Sequence, residues 1–135
     1  MVVLDTSIII GMRRKDPRAI AAWQRLRQER TPVTIASVTI FKLAAGTARS
    51  KTPDTEAMRG NDILQGQVIR DLDAQAAAQA GAIHGTLLTK GTPIGIPDCM
   101  IAGMALHHHE PVLTLNPKDF TRIPGLVVHT PEPLR

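Results

Sequence analysis

The chain has 135 residues, of which 43% are hydrophobic and 21% are charged. This composition is typical of one globular domain with its own core and argues against a disordered chain. The formal charge of +4 and the pI of about 9.8 favour a polyanionic partner. Aromatic residues make up only 2% of the chain, which argues against a base-stacking platform, so any nucleic acid would be held through its phosphates.

Strand-like apolar runs alternate with amphipathic helical segments along the chain. The periodicity and the turn residues predict strands at 1–4, 33–36, 67–70, 112–115 and 126–129, and helices at 6–15, 18–30, 38–49, 73–90 and 98–109. A polar loop at 50–60 leads to a further weak helix. Asp16, Ser37 and Asp73 are the predicted N-caps, and Phe41 is expected on the apolar side of the helix at 38–49. Because parallel strands need crossover connections that are usually helical, we expect an α/β fold with a central parallel sheet flanked by helices.

Polar side chains stand where these strands end or helices begin. Asp5 follows the first strand, and Asp98 opens a late helix. Asn116 ends the fourth strand, with Asp119 three residues further on. Strand ends at one edge of a parallel sheet are where ligands gather, so these side chains could converge on one site. Taken singly, Asp98 also suits the first turn of any helix, and Asp119 also suits a turn.

Such a cluster is suited to a divalent cation. Carboxylate oxygens are the ligands that Mg²⁺ and Mn²⁺ prefer, and Mg²⁺ commonly takes only one or two protein carboxylates. Asp5 and Asp98 would therefore suffice as metal ligands. A cation held in this way can neutralise a phosphate oxygen and lower the pKa of an attacking water, as the hydrolysis of a phosphodiester requires.

Four segments in order resemble the PIN-domain family, and most of all its VapC toxins. These segments are VVLDTS at 2–7, SVTIFKLAAG at 37–46, PDCMIA at 97–102 and TLNPKDF at 114–120. The resemblance covers nearly the whole chain and implies one PIN-like domain at 1–135, a three-layer sandwich with a central parallel sheet. We expect residues 130–135 to be a loosely ordered tail.

The resemblance implies a function as well as a fold. It implies a Mg²⁺- or Mn²⁺-dependent endoribonuclease that acts on RNA as the toxin of a toxin–antitoxin pair, is restrained by a cognate antitoxin, and is often a homodimer. The family's acidic positions match Asp5, Asp98, Asn116 and Asp119, of which Asp5 and Asp98 would bind the metal. Three small hydroxyl residues would lie beside the metal, namely Thr6, Ser7 and Thr114.

Lys42 departs from the family pattern. The family carries a Glu before the position of Leu43, and that Glu completes the acidic cluster, whereas this chain has a lysine. An ammonium beside a divalent cation would repel it by several kcal/mol. We expect Lys42 to bridge Asp5 and Asp98 in place of the cation and so to weaken or inactivate the nuclease. The alternative is that Lys42 points to solvent on a slightly rotated helix.

Two other functions remain open from the sequence. The first is a catalytically dead PIN module that binds RNA or an antitoxin without cleavage, which Lys42 favours. The second is an α/β protein that binds a small molecule, which a large apolar pocket over the strand ends would favour. The absence of a signal peptide and of a long apolar run predicts a soluble cytoplasmic protein with no membrane association.

Three further features have a structural and a functional interpretation. Trp23 is expected in the core, or in a groove that takes the antitoxin. Cys99 is expected to be a small buried hydrophobe rather than a nucleophile. His107, His108 and His109 are expected to be a helix end, because three consecutive helical residues point about 100° apart and cannot close on one metal ion.

Overall fold

The computed structural model describes the backbone of residues 1–131 and the side chains of 1–55 and 62–131. In chain order its elements are β1 (Val2–Leu4), α1 (Thr6–Arg13), α2 (Pro17–Gln28), β2 (Val33–Ala36), α3 (Ser37–Ala48), α4 (Pro53–Leu64), β3 (Val68–Arg70), α5 (Ala74–Thr89), α6 (Ile96–His107), β4 (Val112–Leu113), α7 (Pro117–Phe120) and β5 (Val128–His129). The predicted tail at 130–135 falls mostly on residues 132–135, outside this description.

The strands form one parallel sheet of five strands in the order β3-β2-β1-β4-β5. The central strand β1 pairs with β2 on one side and with β4 on the other. The chain therefore moves outward from β1 in one direction to β2 and β3, and later returns to the other side of β1 for β4 and β5. This reversal makes the gap between β1 and β4 the topological switch point, at whose carboxyl end open α/β sheets bind ligands.

Helices cover both faces of the sheet at its central strands, which confirms the expected three-layer architecture. Val3 faces one core with residues of α5 and α6, whereas Val2 and Leu4 face a second core with residues of α1, α2 and α3. This alternation follows from the period of two along a strand. Because β1 is buried on both faces, it reads as a continuous apolar run, as parallel strands do.

Helices α5 and α6 approach each other closely at Gly103. A Cβ built on Gly103 would lie 2.7 Å from the carbonyl oxygen of Ala76 and 2.7 Å from the amide nitrogen of Ala80. By contrast, Cβ atoms built on Gly81 and Gly85, both in α5, would meet nothing within 4 Å. The tight packing of this helix pair therefore depends on the single glycine of α6.

Helix α3 differs from its prediction at two points. Ala36 is its N-cap and Ser37 its first helical residue, with no side-chain cap, so the predicted Ser37 cap is wrong. Thr39 and Leu43 are its buried residues, whereas Phe41, predicted on the apolar side, is 69% exposed. The predicted caps at Asp16 and Asp73 are confirmed, because their side chains accept hydrogen bonds from Arg18 N and Ala76 N.

Candidate metal centre

The candidate centre lies at the switch point between β1 and β4. Asp5 directly follows β1 and its backbone N–H donates to the carbonyl of Leu113, the last residue of β4. Thr114 follows β4, so the ends of the two strands present Asp5 and Thr114 side by side. The sequence therefore places these polar groups where the sheet topology favours a ligand.

Only one of the two carboxylate oxygens of Asp5 accepts hydrogen bonds from the described residues. Its Oδ2 accepts hydrogen bonds from the hydroxyls of Ser7 and Thr114, each at 2.8 Å. These hydroxyls in turn accept from the backbone N–H groups of Leu115 and Asn116, each at 3.0 Å, which fixes the direction of both donations. Asp5 is only 5% exposed, and its second oxygen, Oδ1, has no hydrogen-bond partner among the described residues.

An unpaired buried carboxylate oxygen needs an explanation, because desolvating a charge without a partner is costly. The capping geometry does not supply one: Asp5 is the N-cap residue of α1, but its side chain makes no cap hydrogen bond to that helix. The oxygen is thus left available for a group that enters the site from outside.

Asp98 lies in the first turn of α6, as predicted, and faces the same centre. Burial and, after it, the negative charge of Asp5 raise the pKa of the Asp98 carboxyl. The nearby charge of Asp119 acts in the same direction, whereas Lys42 opposes it. Asp5 and Asp119 therefore lie near enough to Asp98 for their negative charges to act on its carboxyl.

Lys42 points into this centre and not into solvent. Its Nζ lies 3.8 Å from Asp98 Oδ1, and its side chain is only 33% exposed. The expected bridge from Lys42 to Asp5 is wrong, because the ion pair described for Lys42 is with Asp98 alone. Lys42 therefore neutralises one side of the acidic cluster and leaves the other side unpaired.

The remaining predicted residues contribute unequally. Asn116 is exposed, and only its backbone N–H has a described role, as a donor to Thr114 Oγ1. Asp119 is half-buried and pairs with Arg122 at 3.5 Å. The hydroxyl of Thr6 does not contact Asp5 but lies 3.0 Å from that of Thr39, a fully buried residue that the sequence analysis did not single out.

The chemical type of the donor atoms in this centre fits a divalent cation. Asp5 Oδ1 is a buried, unpaired carboxylate oxygen, Asp98 supplies a second carboxylate, and both belong to rigid positions at a strand end and a helix start. Hard cations such as Mg²⁺ prefer oxygen ligands of this type. The ammonium of Lys42 competes for Asp98 and would lower the affinity.

One sequence-based expectation outside the centre, the burial of Cys99, is confirmed. Cys99 is 1% exposed in a core of α5 and α6, and burial, followed by the charge of Asp98, raises the pKa of its thiol. It therefore behaves as a small buried hydrophobe. Within residues 1–131, no helix is long and apolar enough to cross a membrane.

Comparison with known proteins agrees with this geometry. The PIN domain family model matches residues 2–126. The tRNA(fMet)-specific endonuclease VapC of Salmonella typhimurium is 33% identical over 124 residues, which is 92% of each chain. The structure of DNA-bound VapBC from Salmonella typhimurium matches with a TM-score of 0.85 and 30% identity, over 98% of this chain and 100% of that one. VapBC2 from Rickettsia felis, bound to a promoter DNA fragment, matches with a TM-score of 0.85 and 25% identity, over 96% and 98%.

Proposed function

This chain belongs to the PIN domain family, and we propose that it is a VapC-type toxin, a Mg²⁺-dependent endoribonuclease that Lys42 weakens. The observation that carries the proposal is the buried, unpaired Oδ1 of Asp5 at the topological switch point, where the charge of Asp5 also raises the pKa of Asp98. PIN nucleases as a class are metal-dependent; Mg²⁺ or Mn²⁺ is the assignment that the all-oxygen donor set favours here. We take residues 1–135 as a single domain.

Each residue of the centre has a definite task in RNA hydrolysis. Asp5 and Asp98 would hold the cation, which supplies charge neutralisation at a phosphate oxygen and a water of lowered pKa. Ser7 and Thr114 fix the Asp5 carboxylate so that Oδ1 faces the site. We expect Asn116, the N-cap of α7, and Asp119, within α7, to orient a bound water directly or through a second water. Thr6 supports the start of α1 through Thr39.

Lys42 sets the activity of the centre. Because its ammonium pairs with Asp98, a cation has to displace it or share the carboxylate with a like charge. Weak metal affinity and slow cleavage follow. The same pair supports a second candidate function, a PIN module that binds RNA or an antitoxin without cutting, since Lys42 already compensates one of the two ligand carboxylates.

The proposed partners are RNA, a cognate antitoxin and a second copy of the chain, all in the cytoplasm. The net charge of +4 favours approach to RNA. The name of the Salmonella typhimurium relative makes tRNA(fMet) the first RNA to test. The VapBC complexes among the structural neighbours support the assignment of an antitoxin partner.

A groove beside Trp23 is the proposed antitoxin site. Trp23 is half-buried and borders a cavity of about 360 Å³ that residues of α1, α2 and α4 line. One side of its ring is covered by Arg27, whose Cζ lies 5.8 Å from the ring centroid. We expect an antitoxin segment to pack in this groove and to extend a basic side chain to Asp5. Trp23→Ala should weaken antitoxin binding at least tenfold, by roughly the 1.4 kcal/mol or more that a hot-spot aromatic contributes. Unchanged affinity, measured by calorimetry, would refute this position of the antitoxin.

The nuclease assignment is tested by RNA cleavage with matched variants. The natural chain, Asp5→Asn and Asp98→Asn are incubated with end-labelled tRNA(fMet) in Mn²⁺ and in EDTA. The proposal predicts slow, Mn²⁺-dependent cleavage by the natural chain and none by either variant, because each loses a ligand carboxylate. RNA binding without any cleavage by the natural chain would favour the non-catalytic module, and cleavage that persists in Asp5→Asn would reject the centre.

A further inference from the structure

Of the three consecutive histidines at the end of α6, only His107 and His108 share a neighbourhood. As expected from their sequence positions, they form a helix end: His107 is the last helical residue, His108 is the C-cap, and His109 follows with φ of 54° and an exposed side chain. Two of them nevertheless meet a third residue from another helix. The side chains of His107 and His108 converge on Asp73, which caps the N-terminus of α5.

The geometry of this group is that of a nearly formed ligand set. One ligand atom from each of Asp73, His107 and His108 lies within 4.8 Å of the other two. Asp73 Oδ1 accepts a hydrogen bond from Ala76 N at 2.8 Å, which fixes the carboxylate, and its Oδ2 lies 3.7 Å from His107 Nε2. The antiparallel pairing of α5 and α6 produces this convergence, because it sets the first turn of one helix beside the last turn of the other.

We propose that Asp73, His107 and His108 form a second metal site, for a divalent transition ion of the Zn²⁺ class. Imidazole nitrogens with one carboxylate suit Zn²⁺, which commonly takes three protein ligands and a water in a tetrahedron. Ligand bonds of about 2.0–2.2 Å place neighbouring ligand atoms roughly 3.4 Å apart, so the three side chains have to close by about 1.4 Å at most. Asp73 is exposed and the two histidines are half-buried, so small side-chain rotations suffice.

Arg70 opposes this closure and thereby lowers the affinity of the proposed site for a cation. Its Nη1 lies 3.4 Å from His108 Nδ1, so His108 has to turn away from the guanidinium to bind a cation. The charge of Arg70 is balanced by Glu110, whose Oε1 lies 3.1 Å from Arg70 Nε and which is only 8% exposed. Arg70 therefore has a buried ion-pair partner in addition to its contact with His108.

The proposed site is independent of the nuclease centre. Asp98 and His107 stand at opposite ends of α6, nine residues and roughly 14 Å apart along the helix axis. The donor types differ as well: oxygen ligands select Mg²⁺ or Mn²⁺ at Asp98, whereas imidazoles select Zn²⁺ here. An ion at this second site ties α5 to α6 and stabilises the folded chain by mass action.

The experiment is Zn²⁺ binding to the 135-residue chain without a histidine tag, by calorimetry at pH 7.5 and by thermal unfolding. The variants are His107→Gln and Asp73→Asn, with His109→Gln as the matched control on the same helix end. Asparagine caps a helix as well as aspartate does, so Asp73→Asn keeps α5 intact. Asp98→Asn separates this site from the nuclease centre.

The proposal predicts one Zn²⁺ per chain in the natural protein, in His109→Gln and in Asp98→Asn. It predicts at least about tenfold weaker binding, and loss of the Zn²⁺-dependent rise in thermal midpoint, in His107→Gln and in Asp73→Asn. Absence of Zn²⁺ binding to the natural chain, equal binding in His107→Gln and His109→Gln, or loss of binding in Asp98→Asn would each overturn it. Circular dichroism in EDTA verifies the fold of each variant, and the two ligand variants test the site independently of each other.

Discussion

The substitution Lys42→Glu reverses the charge that faces the candidate metal centre. In the natural chain the Lys42 ammonium lies 3.8 Å from Asp98 Oδ1, where it compensates the carboxylate that a cation would use. A glutamate at this position removes the competing cation and adds a further carboxylate oxygen. We therefore expect Lys42→Glu to bind Mn²⁺ more tightly than the natural chain does.

The size of the effect follows from Coulomb's law. A divalent ion bound to Asp98 would lie about 4.5 Å from the Lys42 ammonium, and the repulsion is then about 7 kcal/mol at an effective dielectric of 20 and about 1.8 kcal/mol at that of water. Because the Lys42 side chain is 33% exposed, the lower value is the safer bound. Since 1.4 kcal/mol corresponds to a factor of ten, the variant should bind Mn²⁺ at least roughly twentyfold more tightly.

Calorimetric titration with Mn²⁺ measures this difference directly. Lys51→Glu is the matched control, because it makes the same change in net charge at an exposed residue beyond the far end of α3. Lys42→Gln removes the ammonium without adding a ligand and should fall between the natural chain and Lys42→Glu. Equal Mn²⁺ affinity in the natural chain and in Lys42→Glu would refute the reasoning, since it would mean that the ammonium does not act on the cation.

Two further predictions concern stability in the absence of metal. Gly103→Ala should lower the free energy of unfolding by about 1–3 kcal/mol, because its Cβ would meet the backbone of α5. Gly85→Ala should raise the free energy of unfolding by up to about 1 kcal/mol, because alanine has the higher helix propensity and its Cβ would meet nothing within 4 Å. Urea denaturation of both variants measures these changes. The second prediction concerns pH. The folded state raises the pKa of Asp98, so this residue's contribution to stability is present below its unfolded pKa of about 3.9 and is lost as the pH rises through the folded value. The free energies of unfolding of Asp98→Asn and of the natural chain are measured in EDTA between pH 4 and 8. The value for Asp98→Asn should rise relative to that of the natural chain as the pH increases. A constant difference over that range would contradict the direction of the shift.

The residues of the candidate metal centre could be proposed from the sequence because they lie at the ends of regular elements. Asp5 follows a strand that is buried on both faces, and Asp98 opens a long helix, so the topology of a parallel sheet alone brings them together. The position of Lys42 followed from the family pattern. The structure was needed to show that Lys42 pairs with Asp98 and not with Asp5. A long, flexible side chain has many rotamers that could bring its ammonium to either carboxylate.

Other contacts depend on tertiary packing that one-dimensional periodicity does not encode. Helix α3 is apolar on most sides, so its pattern did not reveal that Thr39 is buried against Thr6 while Phe41 is exposed. The convergence of Asp73 with His107 and His108 arises from two helices whose relevant ends are 34 residues apart in the chain. Local spacing argues against a site made of three consecutive histidines, but it gave no signal for the residue that completes the proposed group.

The most direct test of the central claim is the rate of RNA cleavage by Lys42→Glu, with and without Asp5→Asn in the same chain, beside the natural protein at one fixed Mn²⁺ concentration that does not saturate the natural protein. If Asp5 and Asp98 form the nuclease centre and Lys42 weakens it, Lys42→Glu cleaves RNA at least about tenfold faster than the natural chain. Adding Asp5→Asn then returns cleavage to background. Equal rates in the natural chain and Lys42→Glu, or cleavage by Lys42→Glu that survives Asp5→Asn, would contradict the account.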